Sequence, residues 1–179
     1  MARNKKRQQT RRHTEDSQAA EVDQQHPLEM LREDHQALQG LLTQFEKGNG
    51  RARQKIADEA LTMLDIHTQL EEKVVYPAIR EATGDDQGID EAEEAHHAVS
   101  SIMKELRKGK TKDTRYAAKM KILTENIQRH IESEEQETFP EAEKADIDWQ
   151  EVGQETMALR RRLMRKMGGK NGMSLKKAA

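Results

Sequence analysis

Two stretches of the chain decide its fold: HTQLEEKVVYP at residues 67–77 and HIESEEQETFP at residues 130–140. Each starts with a histidine, carries glutamates four and five residues later, and ends on an aromatic residue followed by proline. Residues four apart project from one face of a helix. His67 with Glu71, and His130 with Glu134, therefore each present an imidazole and a carboxylate side by side.

The flanking residues carry a helical apolar period. His26-Pro27 opens a first helix, with proline in the first turn where its missing N–H costs little, and Leu28, Leu31, Leu38, Leu42 and Phe45 share one face. Gly48-Asn49-Gly50 ends it. A second helix is expected from about Arg51 to about Glu81, striped by Ile56, Ala60, Met63, Leu64, Leu70, Val74 and Ala78. After a turn at Thr83–Gly88, a third helix covers about Ile89 to Lys108 and buries Ala92, Val99, Met103 and Leu106. Gly109–Thr114 leads to a fourth, about Tyr116 to Ala145, with Met120, Leu123 and Ile127 inward. Short connections force antiparallel neighbours, so the expected fold is all-α, an up-down-up-down four-helix bundle. A short extra C-terminal helix follows Asp148-Trp149. It sets Met157, Leu163, Met164 and Met167 on one side and Arg160, Arg161 and Arg162 on the other, and Gly168-Gly169 is expected to stop it.

Composition agrees with this reading and narrows function. Of 179 residues, 34% are hydrophobic and 36% charged, and no run approaches the ~20 apolar residues of a membrane span. The absence of cysteine excludes thiol catalysis, iron–sulfur clusters and thiolate zinc sites. Five aromatic residues are too few for a base-stacking nucleic-acid surface. Of 31 cations, six lie in residues 1–12 and eight in residues 160–179, which leaves 17 against all 33 acids between them. The expected organisation is a disordered basic tail over 1–24, the bundle over 25–147, and an amphipathic helix with a basic tail over 148–179. The basic N-terminal run lacks the apolar core of a secretory signal, so a cytoplasmic location is expected.

Four histidines interrupt the apolar stripes, one on each helix: His35, His67, His96 and His130. His35 and His96 are 61 residues apart, and the two His-x-x-x-Glu motifs 63 apart, so the chain reads as two helical hairpins of one plan. Paired about a pseudo-twofold axis, they would gather His35, His67, Glu71, His96, His130 and Glu134 at one centre. A single inward histidine is ordinarily a hydrogen-bonded core residue, and a single His-x-x-x-Glu pair a surface contact worth a few tenths of a kcal/mol. Six such groups together, with no lysine or arginine among them, would leave unpaired buried charge at ~1–3 kcal/mol or more per group. A metal centre offsets the whole set, because imidazole and carboxylate suit iron, manganese or zinc.

The chain resembles the hemerythrin-like, or HHE cation-binding, family. The resemblance rests on LREDHQALQGL around His35, LDIHTQLEEKVVYPAIRE around His67 and Glu71, EEAHHAVSSIMKEL around His96, and IQRHIESEEQETFPEAE around His130 and Glu134, and it spans roughly 27–145. It implies a non-haem di-iron centre with two iron ions, bridging carboxylates in Glu71 and Glu134, and a small ligand such as O2, NO or peroxide in sensing, storage, or iron and redox homeostasis. The O2-carrying members have His-x-x-x-His on the third helix, whereas Ser100 stands four residues after His96. His97 points ~100° away around the helix. The fifth ligand is open between His26, a carboxylate such as Glu93 or Glu72, and water, and a vacant position would favour reactivity. Tyr76-Pro77 and Phe139-Pro140 are expected to bend and seal the helices beyond the metals.

Two rival classes have less to stand on. A ferritin-like di-iron oxidase or ferroxidase uses Glu-x-x-His on two helices. Glu93-x-x-His96 occurs once, and Ile127 holds the place where the fourth helix would need its glutamate. A metal-free helical interaction protein would hold nucleic acid weakly through the basic tails, while its acidic middle would repel phosphate. No P-loop, dinucleotide-binding glycine pattern, Gly-x-Ser-x-Gly or His-Glu-x-x-His occurs.

Overall fold

The computed structural model describes residues 25–171, with side chains through Met167. The expected tail over 1–24 and the basic end over 172–179 lie outside the described residues. The helices are α1 (Pro27–Lys47), α2 (Gly50–Leu70), α3 (Tyr76–Thr83), α4 (Asp86–Lys108), α5 (Thr114–Ser133), α6 (Phe139–Ala142) and α7 (Trp149–Asn171). One π-helical turn, Glu71–Val75, joins α2 directly to α3, and a second, Glu134–Thr138, joins α5 to α6. Four long rods thus form two hairpins, α1 with α2 and α4 with α5, and α7 packs across α1, α2 and the first π turn. The described residues contain no strand, and none of their helices is long and apolar enough to cross a membrane.

Local chemistry sets the helix ends. Pro27 occupies the first turn of α1, and Nδ1 of the N-cap His26 accepts the Leu28 N–H at 3.3 Å. Gly84 closes α3 in the left-handed conformation at φ 69°. Asp85 then caps α4 through the Gly88 N–H, so the expected turn at Thr83–Gly88 shrinks and α4 starts three residues early.

Both π turns precede a proline. Pro77 and Pro140 have no N–H to donate, and their rings would clash with the carbonyl four residues earlier in a regular α-helix. The backbone widens instead, and the N–H groups of Tyr76 and Phe139 bond to the carbonyls of Glu71 and Glu134, five residues back. The extra residue shifts the inward face by one. Val75 and Ile79 are buried where the unbroken stripe predicts Val74 and Ala78, which are only partly covered.

Two apolar clusters fill the bundle. One contains Leu38, Leu42, Leu64, Val99, Met103, Met120 and Ile127; the other contains Leu28, Leu31, Leu70, Tyr76, Ile89 and Phe139 together with Val152, Met157, Leu159 and Leu163 of α7. Each fully buried aliphatic side chain contributes ~1.5–3 kcal/mol. On every rod the stripe leaves one cluster, meets a histidine, and resumes in the other, so the polar residues form a layer across the middle.

α7 departs from the sequence reading in two respects. It continues through Gly168-Gly169 to Asn171, because glycine costs a helix only ~1 kcal/mol per residue and does not by itself end one. Arg160 does not point away with Arg161 and Arg162; it turns inward and pairs with the buried Asp34 of α1.

Candidate metal centre

All six candidate residues converge in the polar layer. His35, His67, Glu71, His96 and Glu134 are buried, and His130 is the most exposed of the set at 9%. The four imidazoles face one another through Nε2, with His35 3.1 Å from His67 and His96 2.9 Å from His130. Two metal bonds of ~2.1 Å at right angles would set their ligand nitrogens about 3 Å apart. Both pairs match that spacing.

The glutamates tie the pairs together. Glu71 Oε1 lies 3.0 Å from His67 Nε2, while Glu71 Oε2 lies 3.4 Å from His96 Nε2. Glu134 Oε2 lies 3.3 Å from His35 Nε2 and 3.2 Å from His130 Nε2. Two overlapping groups result: His35, His67, Glu71 and Glu134 in the first, and Glu71, His96 and His130 in the second. Within each group the ligand atoms lie within 4.8 Å of one another.

The donor set fits metal ions. Both oxygens of Glu71 and Oε2 of Glu134 are buried without a hydrogen-bond partner. Each such atom costs ~1–3 kcal/mol or more unless something electropositive meets it. In the metal-free chain that role falls to protons. Burial lowers the pKa of His67, but Glu71 and Asp34 outweigh it and push the value up to about 10. His96 is likewise lowered by burial and raised by Glu71 and Glu72, to about 9. Burial raises Glu71, yet His67 and His96 hold it well below the ordinary carboxylate range. His130 is lowered, because burial outweighs Glu134 and Glu71.

A second layer, which the sequence reading missed, orients the imidazoles crosswise. Glu72 of the first hairpin holds Nδ1 of His96 in the second at 3.0 Å, and Glu135 of the second holds Nδ1 of His35 in the first at 2.8 Å. These are the glutamates five residues after the first histidine of each repeat, so the signal was visible and its role was not. The aromatics cross in the same way: Tyr76 stacks on His96 with centroids 5.6 Å apart, and Phe139 stacks on His35 at 5.8 Å. The Tyr76 hydroxyl donates to Glu134 Oε1 at 2.7 Å. These side chains pack against the centre itself rather than beyond it, because the π turn brings position 76 round towards Glu71. Asp34 approaches His67 Nδ1 at 3.7 Å and is held in turn by Arg160.

None of the side chains considered for a fifth ligand joins the layer as one. His26 caps α1 and packs on Trp149, Glu93 pairs with Arg80, and Glu72 takes the outer nitrogen of His96. His97 is exposed and faces Glu94.

The hemerythrin HHE cation binding domain model matches residues 26–142. The crystal structure of a hemerythrin HHE cation binding domain-containing protein from Mycobacterium kansasii superimposes with a TM-score of 0.71 at 22% identity. The match covers 85% of this chain and 95% of that one, and it establishes likeness of fold. No curated protein sequence matches the chain.

Proposed function

The chain belongs to the hemerythrin HHE cation-binding family, and on that premise we propose that its polar layer is a non-haem di-iron centre that binds a small ligand such as O2, NO or peroxide. His35, His67, Glu71, His96, His130 and Glu134 are the proposed ligands, with Glu71 and Glu134 bridging. The observation that carries this reading is Glu71, fully buried, with one oxygen turned to each group of histidines and neither hydrogen-bonded. A carboxylate whose two oxygens face different histidine pairs suits a bridge between two cations better than chelation of one.

Iron, when bound, would supply the redox and diatomic-ligand chemistry. The chain's own residues do the rest. Glu72 and Glu135 fix which nitrogen of His96 and His35 faces the centre. The Tyr76 hydroxyl engages one oxygen of Glu134 and leaves the other free to ligate. Four imidazoles and two carboxylates leave positions around two metals for an exogenous ligand.

Elemental analysis after anaerobic Fe(II) loading and desalting tests the reading, with absorption spectra before and after air. About two irons per chain are expected, as in other di-iron carboxylate bundles. That content should be lost in a His67→Ala, His130→Ala double variant, and air should produce an oxo-bridged diferric spectrum. Stoichiometric manganese or zinc in place of iron would keep the site and overturn the iron assignment, and zinc would overturn a redox role as well. A chain that retains no metal would end the proposal.

A further inference from the structure

The two halves of the centre share a plan but not an environment. With the offsets of 61 and 63 residues that relate the hairpins, Leu31, Leu70, Val74 and Ala78 of the first correspond to Ala92, Ser133, Glu137 and Glu141 of the second. Leu31 and Leu70 are buried in the cluster that α7 completes, and Val74 and Ala78 pack against it. Their counterparts are small or charged, and Ser133, Glu137 and Glu141 are exposed. They line a groove of about 640 Å³ between α4 and the α5–α6 rod, with His130 and Glu134 in its wall.

The residue before each lone histidine repeats the contrast. In the first hairpin it is Asp34, which approaches His67 and is locked by Arg160 of α7. In the second it is Ala95, a lining residue of the groove. Among the described residues, no carboxylate lies against Nδ1 of His130. Ser100, four residues after His96, supplies no imidazole to this half.

Resting on the di-metal reading above, we propose that the exogenous ligand enters through this groove and binds at the metal position held by His96 and His130, while α7 closes the position held by His35 and His67. The ligand class is small and uncharged. Asp85, Glu91, Glu137 and Glu141 outnumber Arg129 and Lys144 around the groove, which disfavours an anion. Asymmetry of access therefore arises from an added helix on one side and from small and polar replacements on the other.

An Ala95→Leu, Ser133→Leu double variant narrows the groove from both walls without touching a proposed ligand. Iron content by elemental analysis should equal that of the unaltered chain, while nitric oxide binding to the Fe(II)-loaded variant slows at least about tenfold by stopped-flow absorbance. Unchanged binding kinetics at equal iron content would overturn the proposal. The metal-free chain gives a second readout, independent of iron. Diethyl pyrocarbonate followed by peptide mass spectrometry should label His130 ahead of His35 in the unaltered chain, and label it more slowly in the variant. Labelling of His130 at the same rate in both chains, or of His35 as fast as His130, would refute the asymmetry. A chain that binds no iron would sink the di-metal reading, and the labelling would still decide which half is open.

Discussion

Glu72 Oε1 sits 3.0 Å from Nδ1 of His96, a residue of the other hairpin, so each half of the centre is oriented by the other. Glu135 repeats the contact on His35. A free imidazole can place its proton on either nitrogen; a carboxylate on Nδ1 holds the proton there and leaves Nε2 as the ligand. The geometry of the candidate metal centre and the pairing of the hairpins are thereby coupled.

Removing these outer carboxylates should weaken metal binding without removing a proposed ligand. Glu72→Ala and Glu135→Ala should each lower iron affinity by roughly 10–100-fold, measured by competition with a chelator. Glu72→Gln should lose less, because its amide oxygen still accepts from Nδ1. An affinity unchanged in both alanine variants would show that the crosswise contacts are incidental.

The Tyr76 hydroxyl is the partner of Glu134 Oε1. Tyr76→Phe should destabilise the metal-free chain by ~1–3 kcal/mol in urea unfolding, the usual cost of leaving a buried acceptor unmet. The ring itself should fit, since Phe139 holds the matching place in the second hairpin.

Asp34 is a buried carboxylate whose pKa is raised by burial and lowered further by His67 and Arg160, for a net fall. Arg160→Ala should cost about 1–3 kcal/mol, less than a fully buried pair because the arginine is partly exposed. The Asp34→Ala, Arg160→Leu double variant should recover part of that loss, because no charge is then left buried alone. Denaturant midpoints of the single and double variants would check this.

Stability of the metal-free chain should fall as pH rises. His67 and His96 have folded-state values of about 10 and about 9, above the ~6.5 of an unfolded chain. Their stabilising contribution is complete below ~6.5 and is lost as pH climbs through their folded values. His130, lowered by burial, acts in the opposite sense and loses stability as pH falls. The Tm of chelator-treated protein should therefore drop between about pH 7 and 10; if the proposed centre is correct, iron loading should abolish that drop, because metal would take the place of the protons on these imidazoles. Thermal melts of both forms over this range would test it.

The four long rods and the shared inward face of the six central residues were legible in the sequence from local periodicity, and the pairing of the rods from their short connections, but not the break of two rods into separate helices. A histidine at the right phase of an apolar stripe points inward as long as the helix stays regular up to it, and the repeated His-x-x-x-Glu places its carboxylate beside it. Three features followed only from tertiary structure. The π turns arise where a proline ring meets a helix whose far end is fixed by packing, and they moved burial from Val74 to Val75 and from Ala78 to Ile79. The partners of His35 and His96 come from rods distant in sequence, so no local pattern names Glu135 or Glu72 as theirs. Arg160 turned inward because a buried Asp34 on another helix demanded a cation. Periodicity sets the face of a residue while the helix stays regular; where packing bends the backbone or buries a lone charge, and in what each residue meets, the assembly of the helices decides.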